Sequence, residues 1–299
     1  MKRLSMIFLV MMLIVSLAVG CSNSEPTKAE VKEPVEKIVF KGSSTLAPVI
    51  TQITKDFKET YKTWDKVNEN FANEDIEIFI TGGGSSAGVK SVIDGSANLG
   101  MVSRPVSEEE QKTIEGYKEY KLGTDALTIS VNPENKIYEV KNSLTTEELR
   151  KIFSGEYKYW NELDAKLAHE EIVLVTRDIG GGAHKVFKKK IMGDSKVSEN
   201  VIQAPSMGAL VTKIIENKNA IGYASYGVVN QNEGKIMPLK VDGVEPTAEN
   251  ISNGSYKISR PLLVITNKDV TESEQALLDQ IVSEEGLKVV EELGFVPGK

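Results

Sequence analysis

Three times along this chain an apolar run ends in glycine and hydroxyl residues and passes at once into a helical pattern. The first turn is Gly42-Ser43-Ser44-Thr45-Leu46-Ala47-Pro48, and the second is Gly82-Gly83-Gly84-Ser85-Ser86-Ala87-Gly88. The third is Arg177-Asp178-Ile179-Gly180-Gly181-Gly182-Ala183-His184. Glycine permits positive φ and lets a ligand approach the main chain closely. Serine and threonine add short donors, and the first turn of a helix leaves N–H groups unpaired at the positive end of its dipole. Any one such turn is an ordinary helix cap. Three in one chain, with Arg177 closing a strand-like run as a fork-shaped partner for an oxyanion, point to an anion cradle.

Strand-like and helical segments alternate after residue 37. KIVF (37–40), IEIFI (76–80), NLGMV (98–102) and ALTISV (126–131) read as strands, while 47–61, 88–94 and the segment from Ser107 read as helices. A second series follows, with helices at 145–153, 183–191 and 207–216 and strands at 172–176, 201–205 and 220–225. This alternation predicts an α/β fold of mainly parallel sheet flanked by helices, with ligands at the carboxyl ends of the strands. Two series of similar size predict two lobes rather than one sheet. The closing strand (258–267) and helix (272–283) complete the first of them. Lobe 1 is then expected from 38–132 plus 259–299 and lobe 2 from 133–258, with two crossings and a hinged cleft.

The beginning of the chain reads differently. Lys2 and Arg3 precede the apolar run MIFLVMMLIVSLAV (6–19), the length of a signal h-region and short for a membrane span. Cys21, the only cysteine, stands directly after Gly20. This resembles a bacterial lipoprotein signal (1–20), in which the cysteine becomes the acylated first residue. Residues 21–37, with two prolines and no aromatic residue, then form a flexible tether. A lone cysteine excludes a disulfide framework, so the fold rests on its cores. Losing Lys2 and Arg3 with the signal takes the formal charge from −7 to −9. Such a balance argues against nucleic acid as a partner.

Gly84-Ser85-Ser86-Ala87-Gly88 also spells G-x-S-x-G, the strand-to-helix elbow of serine hydrolases. A nucleophilic Ser86 would need a base, and the chain has two histidines. His169 lies in an acidic surface stretch; His184, after the third turn, could reach a cleft, with Asp125 or Asp178 as the acid. Two further glycine and hydroxyl turns are foreign to such a site. Metal motifs and the phosphate loop of nucleotide hydrolases are missing, so no catalytic residue, metal or cofactor is expected. The chain reads as a binder.

Its motifs resemble those of the phosphate-binding lipoproteins of bacterial phosphate ABC importers, a group of type II solute-binding proteins. The resemblance rests on the first two turns together with Ser103-Arg104-Pro105, Asp125-Ala126-Leu127, Ala220-Ile221-Gly222-Tyr223 and Ile258-Ser259-Arg260-Pro261-Leu262, in the family's order. It implies a monomeric receptor, lipid-anchored through Cys21 on the extracytoplasmic face of the cell membrane, that passes inorganic phosphate to permease subunits. Thr45 and Ser44 would give donors to one phosphate oxygen, Ser85 to another, and Arg177 would pair with the anion. Ser103 stands where some members place an aspartate. Gly181 and Ala183 stand where a serine and a threonine usually follow the arginine, so Gly181, Gly182 and Ala183 would offer N–H groups and two side-chain donors are missing. Another tetrahedral oxyanion or an organic phosphate is the alternative ligand. A secreted hydrolase using Ser86, and a signalling or adhesion protein that has lost its ligand, are the alternative functions.

Overall fold

The structure, a computed structural model, describes residues 32–298. The expected signal segment, Cys21 and the tether as far as residue 31 lie outside these residues. The tether's last part is held by the fold. Glu33 N donates to Asn70 O and Glu33 O accepts from Ala72 N, at 3.0 and 2.9 Å.

The first series runs β1 (Ile38–Gly42), α1 (Ala47–Tyr61), α2 (Trp64–Val67), β2 (Ile78–Thr81), α3 (Ser85–Ile93), β3 (Leu99–Val102), α4 (Glu108–Thr113) and β4 (Lys118–Val131). Pro48 sits in the first turn of α1, where its missing N–H costs nothing, and Val49, Ile50, Ile53 and Phe57 form the buried face of that helix. Ser107 and Glu110 form a capping box at the head of α4. The helix expected at 88–94 begins earlier, because Gly84 at φ 86° acts as its cap. Ser85 and Ser86 therefore lie in the first turn of α3.

The second series is α5 (Ile137–Val140), β5 (Ser143–Leu144), α6 (Thr146–Ser154), α7 (Trp160–Leu163), β6 (Val173–Arg177), α8 (Gly182–Phe187), β7 (Ile202–Ala204), α9 (Met207–Ile215), β8 (Ala220–Ser225), α10 (Tyr226–Asn230), β9 (Met237–Pro238), β10 (Lys240–Val241) and α11 (Ala248–Ser252). After α8 the backbone widens into a π-helical turn, Lys188–Met192. The chain closes with β11 (Ser259–Thr266), α12 (Glu272–Ile281), α13 (Glu284–Glu292) and β12 (Val296–Pro297).

The main path of the sheet runs β2-β1-β3-β11-β4-β8-β6-β7. Its two ends are parallel, as the alternation predicts: β1 between β2 and β3, and β6 between β7 and β8. The middle is antiparallel, because β11 pairs with both β3 and β4, and β4 pairs with β8. The expectation of separate sheets therefore needs one correction. Lys118 to Ala126 of β4 pair with β11 and Leu127 to Val131 pair with β8, so one long strand joins both halves. Its first part, KEYKLGTD, was not legible as strand because lysine and glutamate occupy its exposed positions.

Each half nevertheless has its own core. Phe40, Leu46, Ile50, Trp64, Leu262 and Leu278 pack in one, and Ile129, Phe153, Phe187, Leu210 and Tyr223 in the other. The turns following β1, β2 and β6 lie at carboxyl ends of parallel strands and meet where the halves face one another.

Candidate functional site

Local chain geometry places the first hydroxyls. Gly42, at φ 137°, lies so close to Met101 O that a side chain there would overlap it. This close approach brings the first turn against the end of β3. Ser43 Oγ shares a 2.5 Å hydrogen bond with Ser103 Oγ and accepts from the N–H groups of Thr45 and Leu46, both at 3.2 Å. Ser43 thus caps the turn, and Ser103 is engaged with it.

The next three hydroxyls share one property. Ser44 Oγ accepts from Arg177 Nη1 at 3.2 Å and Met207 N at 3.3 Å, Thr45 Oγ1 accepts from Arg260 Nη2 at 3.0 Å, and Ser85 Oγ accepts from Ser103 N at 3.0 Å. A hydroxyl that accepts keeps its own proton to donate. No acceptor for these three protons is present among the described residues. Thr45 and Ser85 are each 1% exposed, so the donors sit in a medium where an unmet hydrogen bond is expensive.

Across the seam, Arg177 ends β6. Its N–H donates to Tyr223 Oη at 2.9 Å, its Nε to Ala204 O at 3.0 Å, and its Nη2 to Pro205 O at 3.0 Å and Asp178 Oδ1 at 2.7 Å. With Ser44 on Nη1, one N–H of the guanidinium remains without an acceptor among the described residues. A two-pronged grip on an anion would require Asp178 to yield.

Gly181, which stands where the resemblance leads one to expect a serine, has a physical reason to lack a side chain, and so has Gly182. A Cβ on Gly181 would lie 3.1 Å from Asp178 Oδ1 and 3.2 Å from Arg177 Nη2, tighter than ordinary contact. The Asp178 carboxylate thus leans over the position where the family has a serine. A Cβ on Gly182 would overlap Ser85 Oγ, so only glycine lets the head of α8 reach the head of α3. Gly84 faces Gly180 and Gly181 in the same seam. Gly182 and Ala183, both buried, form the first turn of α8.

His184 faces away from this cradle. Its Nδ1 lies 3.2 Å from Tyr223 Oη. Burial holds its pKa below the ordinary value, against the pull of Arg177 and Asp178. Tyr223, already accepting from Arg177 N, can therefore donate to a neutral ring, and His184 buttresses the arginine from behind.

A buried ion pair ties the site to the sheet. Arg260, on β11, donates from Nε and Nη2 to Asp125 Oδ2 on β4 at 2.9 and 2.7 Å. It also donates from Nη1 to Ser103 O at 3.2 Å, and Ser225 Oγ donates to Asp125 Oδ1 at 2.9 Å. Sequence reasoning noticed these segments as motifs without giving Arg260 or Tyr223 a role, and it weighed Asp125 and Asp178 only as the acid of a hydrolase. Arg177 at a strand end beside an acidic neighbour was the one available signal for Asp178.

Among the described residues, Ser86 has no base within reach. Ser86 Oγ is buried without a partner, His184 is bonded to Tyr223, and His169 lies 3.1 Å from Asn161 Oδ1 and stacks on Tyr159. Asp125 is held by Arg260 and is not free to orient a histidine.

Fold and site together define a two-lobed α/β binding protein whose seam is lined by unspent hydrogen-bond donors and one arginine. A family model described as a PBP superfamily domain matches residues 25–285. The phosphate-binding protein PstS of Staphylococcus saprophyticus is 30% identical over 292 residues, covering 93% of this chain and 83% of that protein. A candidate phosphate ABC transporter substrate-binding protein from Clostridium perfringens, solved with bound phosphate, superposes with a TM-score of 0.77 at 30% identity, covering 88% of this chain and all of that one. An ABC-type phosphate transport receptor from Vibrio cholerae shares the fold, with a TM-score of 0.68 at 24% identity over 88% of this chain and all of that one. The chain belongs to the PBP superfamily and, within it, to the PstS family of phosphate-binding proteins.

Proposed function

We propose that this protein captures inorganic phosphate in the seam between its halves and delivers it to an ABC permease. The observation that carries this reading is the set of hydroxyls on half-buried Ser44 and buried Thr45 and Ser85, whose oxygens are occupied as acceptors and whose protons are not. Such a lining suits an anion that accepts hydrogen bonds on every face. Arg177 supplies the positive charge, and the first-turn N–H groups at Gly182 and Ala183 add dipoles of the same sign, while the N–H of Gly181 already donates to Asp178 O at 2.9 Å. Ser103, engaged with Ser43, shapes the wall. The staphylococcal relative is named for phosphate binding and the clostridial structure holds phosphate, which supports this choice over other tetrahedral oxyanions.

In this reading the halves are lobes, 38–132 plus 259–299 and 133–258, that open to admit the ligand and close on it. Closure shifts a hinge equilibrium by the ligand's preference for the closed form, which is how a permease would sense loading. The protein acts on the extracytoplasmic face, and no helix among the described residues is long and apolar enough to cross a membrane. Acylation of Cys21 would hold a monomer near its permease without spanning the bilayer.

Calorimetric titration of the soluble form starting at Ser22 tests the proposal. Phosphate should bind with a measurable heat, while sulfate and molybdate should bind more weakly. No heat with phosphate at millimolar concentration sinks it. A preference for sulfate or molybdate replaces phosphate with another oxyanion.

A further inference from the structure

A second feature of the seam lies on its outer rim and is not part of the anion cradle. A cavity of about 310 Å³ opens between Arg104, Pro105 and Glu110 on one wall and Lys185, Val186 and Lys189 on the other. The first wall is fixed. Arg104 grips Glu110 with both terminal nitrogens, at 2.6 and 2.7 Å, and also donates to Pro105 O at 3.0 Å. Glu110 is held in turn by the Ser107 capping box. The second wall belongs to α8 and the π-helical turn after it.

That second wall is basic on an acidic protein. Residues 185–190, KVFKKK, carry four lysines and no acid in a chain of formal charge −7. Lys185, Lys189 and Lys190 are exposed, and none of the four forms an ion pair among the described residues; Lys188 Nζ donates only to Gly193 O and Ser195 O. The charge of Lys185 reaches Glu110 across the groove, but that carboxylate is already paired with Arg104, so the lysines remain a steering and docking field for negative charge. The groove between the walls has apolar members, Pro105 and Val186, as a docking surface requires and a merely solvated face does not.

The helix that bears these lysines also bears the cradle. Gly182, its first residue, touches Ser85 across the seam, so the position of α8 against the first half is set by closure on the ligand. The groove takes its shape only when both walls are in place. Resting on the function proposed above, we infer that this groove is the closed-form docking site for an acidic segment of the permease. A bilayer is the poorer fit, because the groove is recessed between the halves and anionic headgroups repel the acidic body as a whole.

The test uses the full-length protein, both purified and in cells that carry its permease. In Lys185→Glu/Lys189→Glu, phosphate affinity should stay within about twofold of wild type while uptake at limiting phosphate falls by about tenfold or more, since like charges now meet at the interface. Lys196→Glu/Lys235→Glu, of equal charge change but outside both the groove and the 185–190 cluster, should leave uptake unchanged. Retained affinity also shows that the variants fold. Wild-type uptake by the groove variant, or an equal loss in the control, overturns the inference alone. So does sedimentation with phosphatidylglycerol vesicles that the groove variant abolishes, which would make the lysines a lipid face. A wild-type protein that binds no phosphate sinks the proposed function and this inference with it.

Discussion

Asp178 sets the terms on which Arg177 can meet an anion. Its carboxylate holds Nη2 at 2.7 Å and crowds the position of Gly181, so an incoming oxyanion competes with a built-in one. Asp178→Asn should tighten phosphate binding by about tenfold, the order expected from removing one partly solvated charge beside the ligand. Sulfate should gain at least as much, because it brings no proton to share with a carboxylate at neutral pH; calorimetry on both anions checks this, and weaker phosphate binding would assign Asp178 a supporting role instead. Gly182→Ala places a methyl group against Ser85 Oγ. It should lower phosphate affinity by about tenfold or more through imperfect closure, as overpacking costs about 1–3 kcal/mol. His184 gives a pH signature. Burial lowers its pKa from the ordinary 6.5, so below pH 6.5 the unfolded chain takes up a proton that the fold refuses. Stability should be insensitive to this group above pH 6.5, fall as pH drops below it, and lose part of that dependence in His184→Asn. Thermal melts from pH 7.5 to 5.5 would show it. The glycine turns and the strand end at Arg177 were legible in the sequence from their local pattern, whereas the choice of Ser85 over Ser86 rested on the family resemblance. The Arg260–Asp125 pair was not, because its partners are 135 residues apart and act on Thr45 and Ser103 rather than on a ligand.

Among the elements, β4 carries most of the architecture. It pairs with β11 along its first part and β8 along its second, and Asp125 sits just before the change of partner. The Arg260–Asp125 pair thus clamps the strand that joins the halves to β11, with side-chain exposures of 1% and 0%. Asp125→Ala leaves a buried guanidinium without its counter-charge and should cost about 3–5 kcal/mol in denaturant unfolding, far more than loss of a surface pair. A loss under about 1 kcal/mol would mean that water reaches the arginine. Most elements could be read from periodicity: α1 spans 47–61 and β8 spans 220–225, as their patterns predict. What escaped were segments whose determinants are not local. The charged half of β4 is strand only because β11 lies beside it. Residues 188–192 complete a regular apolar pattern yet widen into a π-helical turn, for which the hydrophobic periodicity gives no signal. The last helix, α13, follows α12 after a short break at Ser283, which caps it by accepting from Gly286 N.

At the scale of the molecule, three apolar clusters share one sheet. One lies in the second half and two in the first, where Val89, Val92, Val102 and Ile265 pack apart from the cluster around Phe40 and Leu262. The sequence showed two α/β series and the return of the last strand, but not that β4 makes the sheet continuous, since pairing partners are a property of the assembled fold. The three glycine and hydroxyl turns converge because each follows a parallel strand at its carboxyl end, the place where α/β folds gather ligands. Phosphate in that seam, held by hydroxyl protons left unspent inside the protein, is the proposal on which the rest depends. Its most direct test is a crystal structure of the soluble form grown with phosphate. Tetrahedral density is expected within hydrogen-bond distance of Thr45 Oγ1, Ser85 Oγ and the Arg177 guanidinium, with Asp178 displaced from Nη2. Phosphate bound elsewhere, or a seam that excludes it at saturating concentration, would rule out the seam as the binding site.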